Sequence, residues 1–172
     1  MNPISNIKRI TFLLLFILLN FGCDQVSKII VRDQVAEHAN ISIIDNFLTL
    51  TKVENTGAFL SIGHNLPEVL RILILNLFPI LVIGFGLYYL FTEKNLNLWT
   101  QAGFCMLLGG GLGNVYDRIV YGSVTDFLHM DFGFVQTGVF NVADMFIMAG
   151  IGILFIYTFK KDKKDKNLTI AP

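Results

Sequence analysis

Five aspartates in this 172-residue chain sit where they could do chemistry: Asp24, Asp117, Asp126, Asp131 and Asp144. Four of them fall between Gly109 and Asp144, together with Arg118, Asn114 and Asn141. Charge is otherwise scarce, with 15% of residues charged and 53% hydrophobic. Two carboxylates held close together can hydrolyse a peptide. One takes a proton from water while the other gives one to the carbonyl oxygen. Like charge and a low-dielectric surrounding both push one carboxyl pKa up, so that one partner keeps its proton. Spacing alone does not choose the pair among the five. Other hydrolytic chemistries find less support. Ser27 precedes Lys28, but adjacent residues on a helix do not face each other. No His/Cys cluster has zinc-ligand spacing, and no phosphate-handling motif accompanies the carboxylates for magnesium. No metal and no cofactor is expected.

Smaller constellations surround these acids. Asp24 and Lys28 stand four apart, in the favourable order for one helix face. They form either an interfacial pair that snorkels to water or part of a site inside the membrane, and the residues leave both open. Asn114-x-x-Asp117 and Asn141-x-x-Asp144 repeat one spacing at two membrane edges. Arg118 could pair with a carboxylate or hold an anionic group. Asn55-Thr56-Gly57 is a turn signal, and Asn55 could also bring an amide near the site. Gly109 and Gly113 form a G-x-x-x-G, which lets helices approach closely in lipid.

The elements that must position these groups are apolar. Mean hydropathy is +0.61, too high for an ordinary soluble domain. Four segments are candidate membrane spans: about 10–31, 72–92, 95–116 and 140–159. The second and third contain no charged residue. Met1 to Leu19 also resembles a secretory signal, and Gly22-Cys23 hints at a lipobox. Three further spans favour a retained first helix. Lys8, Arg9, Lys94 and the lysines from Lys160 to Lys166 place both termini in the cytoplasm by the positive-inside rule. Residues 32–71 and 117–140 then face outward. Within 33–66, alternation around Leu48–Thr51 predicts a small antiparallel sheet. SVTDFLHMDFGF, from Ser123, reads as a short amphipathic piece at the interface. Pro79 predicts a kink in the second span. Zero net charge gives no sign of nucleic-acid binding, and Cys23 and Cys105, both in apolar segments, predict no disulfide framework.

The ordered set DQVSK (24–28), NTGAF (55–59), GGGLGNVYDR (109–118), VTDF (124–127) and FNVAD (140–144) resembles the lipoprotein signal peptidases, the type II signal peptidases of bacteria. The resemblance covers nearly the whole chain. It implies one integral-membrane peptidase domain over 1–172: four transmembrane helices, an outward β-cradle and a short interfacial helix. It implies an aspartic endopeptidase of the bacterial inner membrane with its site at the outer face. Such an enzyme cleaves diacylglyceryl-modified prolipoproteins just before the lipidated cysteine. The dyad it implies is Asp126 and Asp144. Asp24, Lys28, Asn55, Gly57, Gly109, Asn114, Asp117, Arg118, Asn141 and Ala143 match positions that support the site or bind substrate. Membrane lipid is the surrounding partner, a monomer is expected, and cyclic peptide inhibitors such as globomycin should bind the site. Glu54, Thr125 and Ser27 depart from the commoner pattern. The main rival reading is a small proton-coupled membrane carrier. It would place ionisable groups near mid-membrane on several spans, whereas here they gather at one edge.

Overall fold

The fold comes from a computed structural model, which describes residues 3–37, 39–57 and 66–169, and side chains within 6–157. Ala58 and Phe59 of the NTGAF stretch lie outside the described residues, as do the side chains of the C-terminal lysines. In chain order the elements are α1 (Pro3–Gln34), β1 (Ile41–Ile44), β2 (Leu48–Asn55), α2 (Glu68–Ile72), a π-helical turn (Leu73–Leu77), α3 (Phe78–Thr92), α4 (Leu98–Val120), β3 (Val124–Met130) and α5 (Val142–Thr169).

Helix α1 and the continuous run Glu68–Thr92 are each long and apolar enough to cross a bilayer. Pro79 has no N–H to donate to the carbonyl four residues back. The turn Leu73–Leu77, directly upstream, is π-helical, the usual local adjustment in such a place. Helix α4 starts on Asn97, whose side chain accepts the Thr100 N–H at 2.8 Å.

Helix α4 packs between α1 and α5. Its small residues are the reason. A Cβ on Gly109 would lie 2.7 Å from the Asn20 Cβ and 2.9 Å from the Ile17 carbonyl of α1. A Cβ on Gly113 would strike the Asp24 carboxylate, and one on Gly110 the Ala143 carbonyl of α5. The glycines therefore let two helices reach the backbone of α4. Leu13, Ile17, Ile83, Leu90, Cys105, Leu108 and Val115 fill the core around them. Both cysteines are free.

One end of the helices is marked by two contacts. The Arg9 guanidinium donates to the Leu90 and Glu93 carbonyls, each at 2.7 Å, where α3 ends. Trp99, at the start of α4, stacks on Tyr157 of α5, with ring centroids 5.6 Å apart. The start of α1, the turn between α3 and α4, and the far part of α5 thus share one end.

The opposite end carries a three-stranded antiparallel sheet in the order β1-β2-β3. Two of its strands lie where the alternation placed them. The third corrects the sequence reading: SVTDFLHMDFGF is not a free amphipathic piece, because its first half is β3. Both faces of that strand are used, so Val124, Thr125, Asp126 and Phe127 are all buried. No helix lies between α4 and α5, so the short interfacial helix is not found there. Helix α2 runs on into the π-helical turn and α3.

Candidate active site

Strand β3 leads into a loop that returns on itself. The Phe127 and Leu128 N–H groups both donate to the Phe140 carbonyl, at 2.9 and 2.8 Å, and Phe140 N–H donates back to Leu128. That fold-back sets Asn141 beside Asp126. Asn141 is also the N-cap of α5. Its side-chain oxygen accepts the Asp144 N–H at 3.0 Å, and the Asp144 carboxylate accepts the Asn141 N–H at 3.2 Å. This is a capping box built from Asn and Asp. The Asn-x-x-Asp spacing seen in the sequence is therefore a helix start, and it locks the Asp144 rotamer. The negative charge also sits favourably in the first turn of a helix.

Three asparagines hold the two acids. Asp126 accepts from Asn141 Nδ2 at 2.6 Å and from Asn55 Nδ2 at 2.9 Å. Asp144 accepts from Asn114 Nδ2 at 2.8 Å. Asn141 Nδ2 also lies 3.2 Å from Asn114 Oδ1, which joins the two halves. Asn55 fulfils both readings of its sequence motif. Its side-chain oxygen Oδ1 accepts the Gly57 N–H at 2.9 Å, closing a turn, while its Nδ2 serves Asp126. Asp126 and Asp144 line one cavity of about 350 Å³ with Asn55, Asn114, Arg118 and Asn141 on its polar side. Leu75, Phe78, Pro79 and Val139 form the apolar side.

The other three aspartates are already occupied. Asp24 and Lys28 are fully buried and 2.8 Å apart, so they do not snorkel. Asp24 also accepts the Ala143 N–H at 2.8 Å, which ties α1 to the first turn of α5. Lys28 touches Asp117 and Asn114, each at 3.0 Å. Asp117 meets Arg32 at 3.0 Å and Gln25 at 3.1 Å. Two buried acids are thus matched by two bases, as burial of charge demands. Asp131 caps its own turn, accepting from Gly133 N–H and Gln136, each at 2.7 Å.

Two roles were open to Arg118, pairing with a carboxylate or holding an anionic group. Among the described residues it pairs with no carboxylate. Its guanidinium donates to the Gly57 carbonyl at 2.7 Å and the Asn114 carbonyl at 3.4 Å. Its Nε is buried without a partner among the described residues, and the residue lines the cavity. The sequence reading missed Arg32 and Gln25. Gln25 lies inside the DQVSK stretch but was not singled out from it, and Arg32 lies one turn beyond Lys28, outside any motif. The departures Glu54 and Thr125 turn out to be partners: Thr125 Oγ1 donates to Glu54 Oε1 at 2.8 Å.

Burial raises the Asp126 carboxyl from its ordinary value to about 6, and the neighbouring Asp144 charge pushes the same way. The amide hydrogen bonds from Asn55 and Asn141 oppose this without cancelling it. Asp126 is therefore the carboxyl suited to carry a proton near neutrality. A protonated acid, a second carboxyl and a cationic donor around one cavity can activate water and polarise a carbonyl.

Comparison with known proteins gives the family. Residues 16–160 match the family described as Signal peptidase (SPase) II. The chain is 37% identical over 153 residues to the lipoprotein signal peptidase of Clostridioides difficile (strain 630), covering 89% of this chain and 98% of that one. It is 34% identical over 155 residues to the lipoprotein signal peptidase of Streptococcus pyogenes serotype M1, covering 90% and 97%. A bacterial membrane enzyme solved by the in meso method at 2.3 Å superposes with a TM-score of 0.79 at 27% identity, over 91% of this chain and 92% of that one. A second, solved at 1.9 Å, gives 0.76 at 25% identity, over 88% and 94%. The chain belongs to the signal peptidase II family.

Proposed function

We propose that this member of the signal peptidase II family is an aspartic endopeptidase that removes signal peptides from prolipoproteins, with Asp126 and Asp144 as its dyad. The single observation that carries the reading is the sorting of the aspartates. Asp24 and Asp117 are matched by bases and Asp131 closes a turn, while Asp126 and Asp144 line one cavity and, among the described residues, are held by neutral amides and the first turn of a helix.

The reaction follows from those positions. A signal peptide in the membrane presents its scissile bond at the sheet end of the helices. Asp144, ionised, takes a proton from a water between the acids as that water attacks the carbonyl carbon. Asp126, protonated, gives its proton to the carbonyl oxygen. The resulting gem-diol collapses: the C–N bond breaks, the amide nitrogen takes the proton held by Asp144, and a diol hydroxyl returns its proton to Asp126. Both acids end as they began. Arg118 and its free Nε–H steady the polarised oxygen or the adjacent peptide carbonyl. Asn55, Asn114 and Asn141 fix the carboxyl orientations, and the Asp24–Lys28–Asp117–Arg32 cluster fixes the helices that bear them.

On this reading all four long helical runs span the bacterial inner membrane, the sheet faces outward as a cradle, and both termini are cytoplasmic. The substrate is diacylglyceryl-modified, cleavage falls just before the lipidated cysteine, a monomer suffices, and globomycin-type cyclic peptides compete for the cavity. The test is cleavage by the purified protein in lipid. A diacylglyceryl-modified prolipoprotein should yield a product beginning at the modified cysteine, and the unmodified precursor should be cut poorly. Equal cleavage of both, or a product beginning elsewhere, would contradict the substrate assignment.

A further inference from the structure

The β2–β3 pair carries a second polar cluster, on the face away from the cavity. Val53 pairs with Asp126 and Glu54 with Thr125. Side chains alternate along a strand, so Asn55 and Asp126 share one face while Glu54 and Thr125 share the other. On that far face both Glu54 oxygens are taken by hydroxyls. Ser123 Oγ donates to Oε2 at 2.5 Å and Thr125 Oγ1 to Oε1 at 2.8 Å. The Thr125 hydroxyl also accepts from Arg32 Nε at 2.7 Å. Thr125 is fully buried. A hydroxyl donates one hydrogen bond and accepts others, so it can join a carboxylate to a guanidinium, and valine of the same shape cannot.

The contacts continue past Arg32. Its Nη2 meets Asp117 at 3.0 Å, Asp117 meets Lys28, Lys28 meets Asn114, and Asn114 donates to Asp144. The back of the Asp126 strand is thereby joined to Asp144 through α1 and α4. Directly across the strand, Asp126 is held by two amides alone.

We propose that Glu54 and Thr125 are positioning residues: a hydroxyl–carboxylate clasp that fixes β3 against α1 and so sets Asp126 relative to Asp144. The clasp rests on the reading of Asp126 as catalytic. Glu54 is exposed and Thr125 buried, both on the strand face away from the cavity, so the clasp should act on turnover rather than on binding. Small displacements of a reacting group are costly, on the order of 10²-fold per ångström in unfavourable cases.

The test is a double-mutant cycle on prolipoprotein cleavage with Thr125→Val, Glu54→Ala and the pair, with Thr125→Ser as the conservative variant and Asp126→Asn as reference. Expected is a ~10-fold or larger fall in kcat for Thr125→Val with KM little changed. Glu54→Ala should add little on top of it, and Thr125→Ser should recover most of the rate. Multiplicative losses, a fall confined to KM, or a serine variant no better than valine would overturn the clasp. Should Thr125→Val fail to fold, Ser123→Ala and Glu54→Ala run the same cycle on the other carboxylate oxygen, judged by the same additivity. Asp126→Asn separates the two ideas. If it still cleaves, the dyad reading fails. If it is dead while the cycle is additive, only the clasp fails.

Discussion

Asp126 is buried, shares its cavity with a second carboxyl, and accepts hydrogen bonds from two amides. Its pKa of about 6 has a direct consequence. The proton needed on the carbonyl side is present below that pH and lost above it, so kcat/KM, which reports the free enzyme, should fall as pH rises through about 6. Asn55 donates to the ionised form and holds this pKa down. Asn55→Ala should therefore move the alkaline limb to higher pH even as the maximum rate drops. A limb that moves to lower pH would show that Asn55 does not act on Asp126 in this way. At this scale the sequence was partly legible. Residue types and spacing exposed five candidate acids and the two Asn-x-x-Asp pairs. They did not show that one such pair is a capping box, although an N-cap residue followed by an acid three positions on is a helix-start signal that was there to be read. Arg32 and Thr125 were illegible as a pair, because their contact joins residues 93 apart in sequence.

Elements were easier to read where one face alone is buried. The long apolar runs gave the helices, and alternation gave β2. Strand β3 escaped because Thr125 and Asp126 are adjacent, polar and both buried. Period-two alternation vanishes when each face of a strand has its own polar partners. The G-x-x-x-G of α4, Gly109 and Gly113, was legible as close packing and meets α1, while Gly110 beside it meets α5. A Cβ on Gly110 would run into the Ala143 carbonyl, one residue before Asp144, whereas a Cβ on Gly84 meets nothing within 4 Å. Gly110→Ala should destabilise the protein by about 1–3 kcal/mol through overpacking, and it should reduce cleavage further by pushing the first turn of α5 off α4. Gly84→Ala should leave both unchanged. Thermal unfolding in detergent together with cleavage rate checks this pair, and equal behaviour of the two variants would count against the packing account.

For the whole molecule, polarity is set by its two ends. Arg9 caps the carbonyls at the end of α3, and Trp99 stacks on Tyr157, so the basic positions near Arg9 and Lys94 lie at the end opposite the sheet and the dyad. In the proposed orientation, with the positive end in the cytoplasm, the cavity would open at the outer surface. A reporter active only outside the cytoplasm, fused after Pro172, should be silent, and strong activity from it would overturn the orientation. The gross architecture was legible because a bilayer restricts spanning structure to runs of helix. The union of β2, from one outward segment, with β3, from the other, was not, because pairing across more than sixty residues leaves no local signal.

The account stands on two carboxyls acting as a unit, and one measurement addresses that directly: cleavage of a diacylglyceryl-modified prolipoprotein by correctly inserted Asp126→Asn, Asp144→Asn and the double variant. Asparagine keeps the size and some of the hydrogen bonding while removing the titrating group. Each single change should lower turnover by ~10²-fold or more, the double variant should be little worse than either alone, and Asp131→Asn should stay near the unmodified rate. Near-normal cleavage by Asp126→Asn, with turnover lost instead in Asp117→Asn, would contradict the account and give Asp144 a different partner.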